Sequence, residues 1–193
     1  MSILIHINAC PGVGKLTIAR ELAPMLGARV IDNHAIYNVA FALTEFKSEA
    51  FHAAVRAVRT VAFDCILALP AGVPVILTNA HFTDGGFGPE NWQAVRELAD
   101  RRGVPLAVVI LDCSAEENRR RIEDPSRIGK GALRDPEAVA GLQARQLIDH
   151  GGDFTLRLDV TELAAASAAR RIADWLAGQG AAAAGAQPRQ LPG

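Results

Sequence analysis

Asn8-Ala9-Cys10-Pro11-Gly12-Val13-Gly14-Lys15-Leu16-Thr17 is the stretch that decides how this chain folds. An apolar run, Ile3-Leu4-Ile5-His6-Ile7, precedes it, and a helical pattern, Ile18-Ala19-Arg20-Glu21-Leu22-Ala23, follows it. A strand, a glycine-bearing loop ending in Gly-Lys and a helix are together the setting of a phosphate-binding loop. Pro11, Gly12, Val13, Gly14, Leu16 and Thr17 would then surround a phosphate with backbone N–H groups and the positive helix end, and Lys15 would reach it. The stretch departs twice from the strict pattern G-x-x-x-x-G-K-S/T. Ala9 stands at the first glycine and disfavours positive φ, and Leu16 stands at the hydroxyl. Leucine gives no oxygen to Mg²⁺, so the ion would rely on water, phosphate oxygens and a carboxylate.

The 193 residues suit one domain with a sizeable core, and 50% of them are hydrophobic. A net charge of −1 offers no basic excess, and aromatics are scarce at 5%, so no nucleic-acid partner is expected. Cys10, Cys65 and Cys113 show no paired spacing, which argues against a disulfide framework or a cysteine metal site and fits a reducing cytoplasm. The N-terminus reads as a core strand, not as a leader. No apolar run reaches the roughly 18–20 residues that span a bilayer, so no membrane partner is expected.

Short apolar runs alternate with helical stretches. Strands are predicted at Ile3–Asn8, Arg29–Asp32, Val73–Thr78, Leu106–Leu111 and Phe154–Leu158. Most lack polar alternation, as strands buried on both faces of a parallel sheet do. Helices are predicted at Lys15–Met25, Ala35–Leu43, Ser48–Leu69, Pro89–Arg102, Ala115–Glu123, Asp135–Asp149 and Glu162–Ala177. The rhythm implies an α/β domain over residues 1–177 with ligands at the carboxyl ends of the strands. Residues 124–135 are polar, basic and glycine-bearing and read as a mobile lid, and residues 178–193 read as a flexible tail.

The strand ends supply the candidate chemistry. Asp32 follows the second strand, where a carboxylate can take a proton from a hydroxyl or hold a metal-bound water; it can equally cap the next helix. His34, with cap and core roles as the alternatives, and His81, after the third strand, are candidates for the acceptor site. Arg56 and Arg59 lie three apart on one helix face and can hold an anionic group, although a solvated face is the commoner use of such a pair. Arg119, Arg120 and Arg121 close a helix, and one of them can stack on adenine. Arg127 in the basic loop can be delivered onto phosphates as the loop closes. Asp112 reads either as a metal-side acid or as a cap.

With Pro11-Gly12-Val13-Gly14-Lys15-Leu16-Thr17, Asp32-Asn33-His34, Arg56/Arg59, Arg121-Ile122 and the loop with Arg127, the chain resembles a small P-loop kinase of the nucleoside-monophosphate-kinase-like group. It is similar there to shikimate kinases, gluconate kinases and chloramphenicol phosphotransferases, and to bacterial AAA-family ATPase-like proteins. The resemblance implies a three-layer α/β/α P-loop NTPase fold with a five-stranded parallel sheet of order 2-3-1-4-5 and a small lid. It implies ATP and Mg²⁺ as cofactors and transfer of the γ-phosphate to a small-molecule acceptor by a monomer or homodimer. Lys15, Asp32 and Arg127 would be catalytic, Asp32 also facing the metal; Arg121 would join the loop in holding ATP; His34, Arg56, Arg59 and His81 would bind substrate. Shikimate-type kinases carry Asp-x-Asp where this chain has Asp32-Asn33-His34, which argues against shikimate itself. The competing reading is an ATP-binding module or sensor without phosphotransfer. The absence of an Asn-Lys-x-Asp motif argues against a GTPase switch.

Overall fold

The computed structural model describes residues 2–125 and 135–185. Five strands, β1 (Leu4–Asn8), β2 (Arg29–Asp32), β3 (Val75–Asn79), β4 (Leu106–Asp112) and β5 (Phe154–Asp159), form one parallel sheet in the order β2-β3-β1-β4-β5. Around it stand α1 (Lys15–Leu26), α2 (Asn33–Leu43), α3 (Glu49–Ala68), α4 (Phe87–Arg102), α5 (Ala115–Glu123), α6 (Pro136–Gln143) and α7 (Ala165–Gly185). This is the three-layer α/β/α P-loop NTPase fold.

Strand pleating explains the layers. Successive side chains point to opposite faces, and β1, β3 and the first six residues of β4 are buried on both. Ile5, Ile7, Ala107, Val109 and Leu111 pack on one face against Ile18 and Leu22 of α1 and Ile172 and Leu176 of α7. Leu4, Leu77, Val108 and Ile110 pack on the other against Phe51 and Val55 of α3 and Trp92 and Leu98 of α4. The edge strand β5 alternates half-buried and exposed residues instead. Among the described residues no helix is long and apolar enough to cross a membrane.

Two helices differ from expectation. The sixth ends at Gln143, not at Asp149. Beyond it Thr83 N–H donates to Gln146 C=O (2.9 Å) and Ile148 N–H to His81 C=O (2.9 Å). Pairing with the segment after β3 thus takes the backbone groups a further helical turn would use. The last helix passes the boundary expected at 177 and continues to Gly185. Its final turn is Ala181 to Ala184, and alanine is the strongest helix former. The basic loop 126–134, with Arg127, and residues 186–193 lie outside the described residues.

Candidate active site

The loop between β1 and α1 is shaped by two glycines. Gly12 has φ +90° and Gly14 has φ +105°, backbone that side-chain-bearing residues rarely adopt. Gly14 is the N-cap of α1, and no side chain caps the first turn, as an anion site built on a helix N-terminus requires. Ala9 meets none of the expected difficulty. Lys47 is the one non-glycine residue with positive φ among the described residues. Ala9 instead prolongs β1, its N–H donating to Asn79 C=O at 3.2 Å. Lys15 Nζ donates to the carbonyls of Ala9 (2.8 Å) and Cys10 (2.9 Å), so the ammonium lies over the loop it belongs to.

Helix α5 braces this loop from behind. Asn118, 1% exposed, donates from Nδ2 to Pro11 C=O (3.1 Å). Arg121 donates from Nη1 to Val13 C=O (2.7 Å) and from Nη2 to Val160 C=O (2.8 Å), while its Nε bonds Glu117 (2.6 Å). In a planar trans peptide the C=O of one residue and the N–H of the next point in opposite directions. Holding the Pro11 and Val13 carbonyls therefore turns the Gly12 and Gly14 N–H groups away from α5. Asn118→Ala removes one anchor and is expected to weaken nucleotide binding about tenfold, with a stability loss of about 1–3 kcal/mol, a typical range for a buried hydrogen bond. Calorimetric titration with ATP, alongside urea unfolding, checks both.

A cavity of about 500 Å³ opens beside the loop, lined by Val13, Gly14, Thr17, Arg121 and the segment Thr161–Ala165. Of the three expected arginines, Arg119 pairs with Glu123. Arg120 also borders the cavity but pairs with Glu117, whereas Arg121 ties cavity and loop together. Arg120 and then Arg121, through hydrogen bonds, hold the Glu117 carboxyl down at about 2. Asp112 Oδ1 accepts from Cys113 N–H (2.9 Å), and the cap of α5 is Ser114.

A second, narrower cleft of about 10 Å³ lies at the carboxyl ends of β2 and β3. Ile36, Tyr37, Phe63, Leu77 and Val95 supply apolar walls, and Asp32, Arg59, Asn79, His81 and Asn91 supply polar ones. Asp32 is the N-cap of α2, its Oδ1 accepting from Ala35 N–H (2.9 Å). The cap occupies one of its two carboxylate oxygens. Asn33, next to it, accepts from Asn79 Nδ2 (3.0 Å). His34 is half-buried on the first turn of α2 and is not among the residues lining the cleft.

Arg56 and Arg59 already have partners. Arg56 grips Glu90 with two hydrogen bonds of 2.8 and 2.6 Å. Arg59 reaches Glu90 (3.2 Å) and the side-chain oxygen of Asn91. The Arg56 hydrogen bonds hold the Glu90 carboxyl below the usual range, against the effect of burial. Sequence reading missed Glu90, Asn91 and Asn118, whose partners lie 31 to 107 residues away, beyond any local pattern. It also missed Asn8, which bonds the backbone at His81 and Ile148 and ties the strand before the loop to the segment after β3.

His81 is 4% exposed and stacks on buried His6, ring centres 5.2 Å apart. Burial pushes His81 down to about 3 and His6 well below its ordinary value. Both are therefore neutral when folded, whereas in the unfolded chain they protonate near pH 6.5. The unfolded state binds more protons below that pH, so stability is full above it and falls as pH drops towards 3. The expected slope approaches about 1.4 kcal/mol per pH unit for each histidine below about pH 5.5 and averages about half that between pH 7.5 and 5.5. Urea unfolding between pH 7.5 and 5.5 measures it, and His6→Leu is expected to lower the slope.

Residues 5–137 match the family model described as AAA domain. The chain belongs to that family. No protein of curated function matches it. Among solved structures, shikimate kinase from Acinetobacter baumannii in complex with shikimate is 19% identical, with a TM-score of 0.59 over 93% of this chain and 94% of that one. The APS kinase CysC of Mycobacterium tuberculosis, in complex with AMPPNP and APS, is 18% identical, with a TM-score of 0.59 over 91% and 98%. The tunicamycin resistance protein of Deinococcus radiodurans is 18% identical, with a TM-score of 0.58 over 91% and 96%. This AAA domain thus shares its fold with P-loop kinases of small molecules.

The groups present in this AAA domain fit a nucleotide: left-handed glycines, a helix N-terminus, a lysine and an adjoining cavity. For a metal they fit less fully. Among the described residues no three His, Cys, Asp or Glu side chains gather as a site. Mg²⁺ would be held mainly by phosphate oxygens and water, with Asp32 as the carboxylate offered from the strand ends.

Proposed function

We propose that this protein is an ATP-dependent kinase that phosphorylates a hydroxyl of a small acceptor. The observation that carries the reading is the presence of two clefts at the carboxyl ends of the strands, one beside the phosphate-binding loop and one containing Asp32. A kinase needs two such places, because donor and acceptor must be held in line across the transferred group. ATP supplies the phosphoryl group. The Gly12 and Gly14 N–H groups and Lys15 would stabilise charge that grows on its oxygens. Asp32 would accept the acceptor's proton through the oxygen its cap leaves over. Arg127, outside the described residues, is the proposed lid arginine, and Arg121 the proposed adenine contact. Admitting an acceptor to so narrow a cleft calls for α2 and α3 to move away from α4.

Labelled ATP, offered with a broad panel of alcohols, sugars, nucleosides and organic acids, tests the proposal. Transfer only in the presence of an acceptor is expected, and acceptor-independent turnover at the same rate would count against it. Asp32→Asn keeps a good helix cap. It is expected to lower kcat by about 10²–10⁴-fold, the usual worth of a general base, with ATP affinity retained. Leu16 favours the second reading, a nucleotide-binding module without transfer. Tight ATP binding with no product across the whole panel would support that reading.

A further inference from the structure

We propose that the acceptor is an uncharged, hydroxyl-bearing molecule with an apolar flank, read by Asp32 and the imidazole of His81, not by the arginines of α3. The inference rests on the kinase reading of this cleft and narrows its substrate class.

Charge is the first observation. Among the described residues Arg59 is the one cation lining the cleft, and its guanidinium is already shared between Glu90 and Asn91. Arg56, beside it, is bound bidentately by the same Glu90. An anionic acceptor would have to displace a carboxylate that is built into α4, and it would also approach the carboxylate of Asp32. Two like charges in a confined site repel strongly.

Hydrogen-bonding capacity is the second observation. Both ring nitrogens of His81 are buried without a hydrogen-bond partner, and the residue lines the cleft. A buried polar group left so carries an uncompensated desolvation cost, which a ligand can recover. A neutral imidazole has one donor and one acceptor. That pair matches a hydroxyl, which also donates and accepts, better than a carboxylate or phosphate, which only accepts. Beside Asp32 and Arg59, the remaining polar groups, Asn79, Asn91 and Tyr37, are neutral. Burial pushes the Tyr37 phenol up to about 12, and its oxygen accepts from Asn91 Nδ2 (3.3 Å).

The third observation is an aromatic ribbon continuous with the cleft. Tyr37 lines the cleft and contacts Phe41 one turn along α2, and Phe41 contacts Phe46. Phe41 is 47% and Phe46 60% exposed. An acceptor with an aryl or alkyl flank would cover them as its hydroxyl reached Asp32.

The test uses pairs in which one hydroxyl or hydroxymethyl group is exchanged for an anionic group: glucitol with gluconate, thymidine with thymidine monophosphate, and phenylethanediol with mandelate. Binding is measured by calorimetry on the full chain saturated with a non-hydrolysable ATP analogue, so the readout does not depend on catalysis. The uncharged member of a pair is expected to bind at least tenfold more tightly, most clearly for phenylethanediol. Glu90→Gln leaves the two arginines without their carboxylate and is expected to shift preference towards the anion by about tenfold. His81→Phe keeps the ring's shape and is expected to weaken the uncharged ligand several-fold while ATP-analogue affinity stays the same. Tighter binding of the charged members by the unmodified protein would overturn the proposal, as would equal binding, no binding of any uncharged member, or an unchanged preference in Glu90→Gln. Uncharged ligands that bind as expected but are never phosphorylated would uphold the acceptor class and sink the kinase reading.

Discussion

Lys15→Ala is expected to lower acceptor phosphorylation by about 10³-fold, at the upper end for loss of one transition-state donor. The ammonium sits over the loop, held by the Ala9 and Cys10 carbonyls. From there it can shift onto a phosphate as negative charge builds, and the alanine variant has no cation to do so. The substitution also strips a donor from two carbonyls of largely buried residues. A stability loss of about 1–3 kcal/mol is therefore expected beside the catalytic one. Single-turnover transfer from labelled ATP reads the first effect and urea unfolding the second. Transfer at the unmodified rate in a folded Lys15→Ala protein would remove the loop from the mechanism.

Gly12→Ala is expected to damage both the fold and nucleotide binding. A Cβ at Gly12 would come within 2.7 Å of Ile122 Cγ1 and 2.9 Å of Asn118 Nδ2, with φ at +90°. Overpacking and left-handed strain each cost about 1–3 kcal/mol, so a combined loss of about 2–6 kcal/mol is expected. The displaced atoms include the amide that anchors Pro11, so the Gly12 N–H would lose its aim. ATP affinity is expected to fall at least tenfold. Adding Ile122→Ala opens space without relieving φ. If the double variant recovered all the stability lost at Gly12, crowding alone would be the cause.

The sheet was legible because its central strands are buried on both faces and so read as unbroken apolar runs; Ile3–Asn8 and Leu106–Leu111 are examples. The phosphate-binding loop was legible because its chemistry is local, with glycines, lysine and helix start in consecutive residues. The sixth helix was overextended because Gln146 and Ile148 are held by Thr83 and His81, partners more than sixty residues away. The arginines of α3 were read as available for the same reason. Their spacing on one face is visible in the sequence, but Glu90 and Asn91 arrive from another helix. Asp32 shows a third limit. Cap and catalytic roles were set against each other, yet a carboxylate has two oxygens and the cap uses one.

Among the described residues the two clefts share no lining residue. One is built from the loop, α5 and the turn after β5, the other from α2, α3, α4 and the ends of β2 and β3. Substitutions that refit the acceptor walls at Ile36, Tyr37, Phe63 or Val95 therefore leave every wall of the donor side in place. On the proposed kinase reading that separation makes the molecule modular: selection, or a designer, could exchange what is phosphorylated without rebuilding what supplies the phosphate.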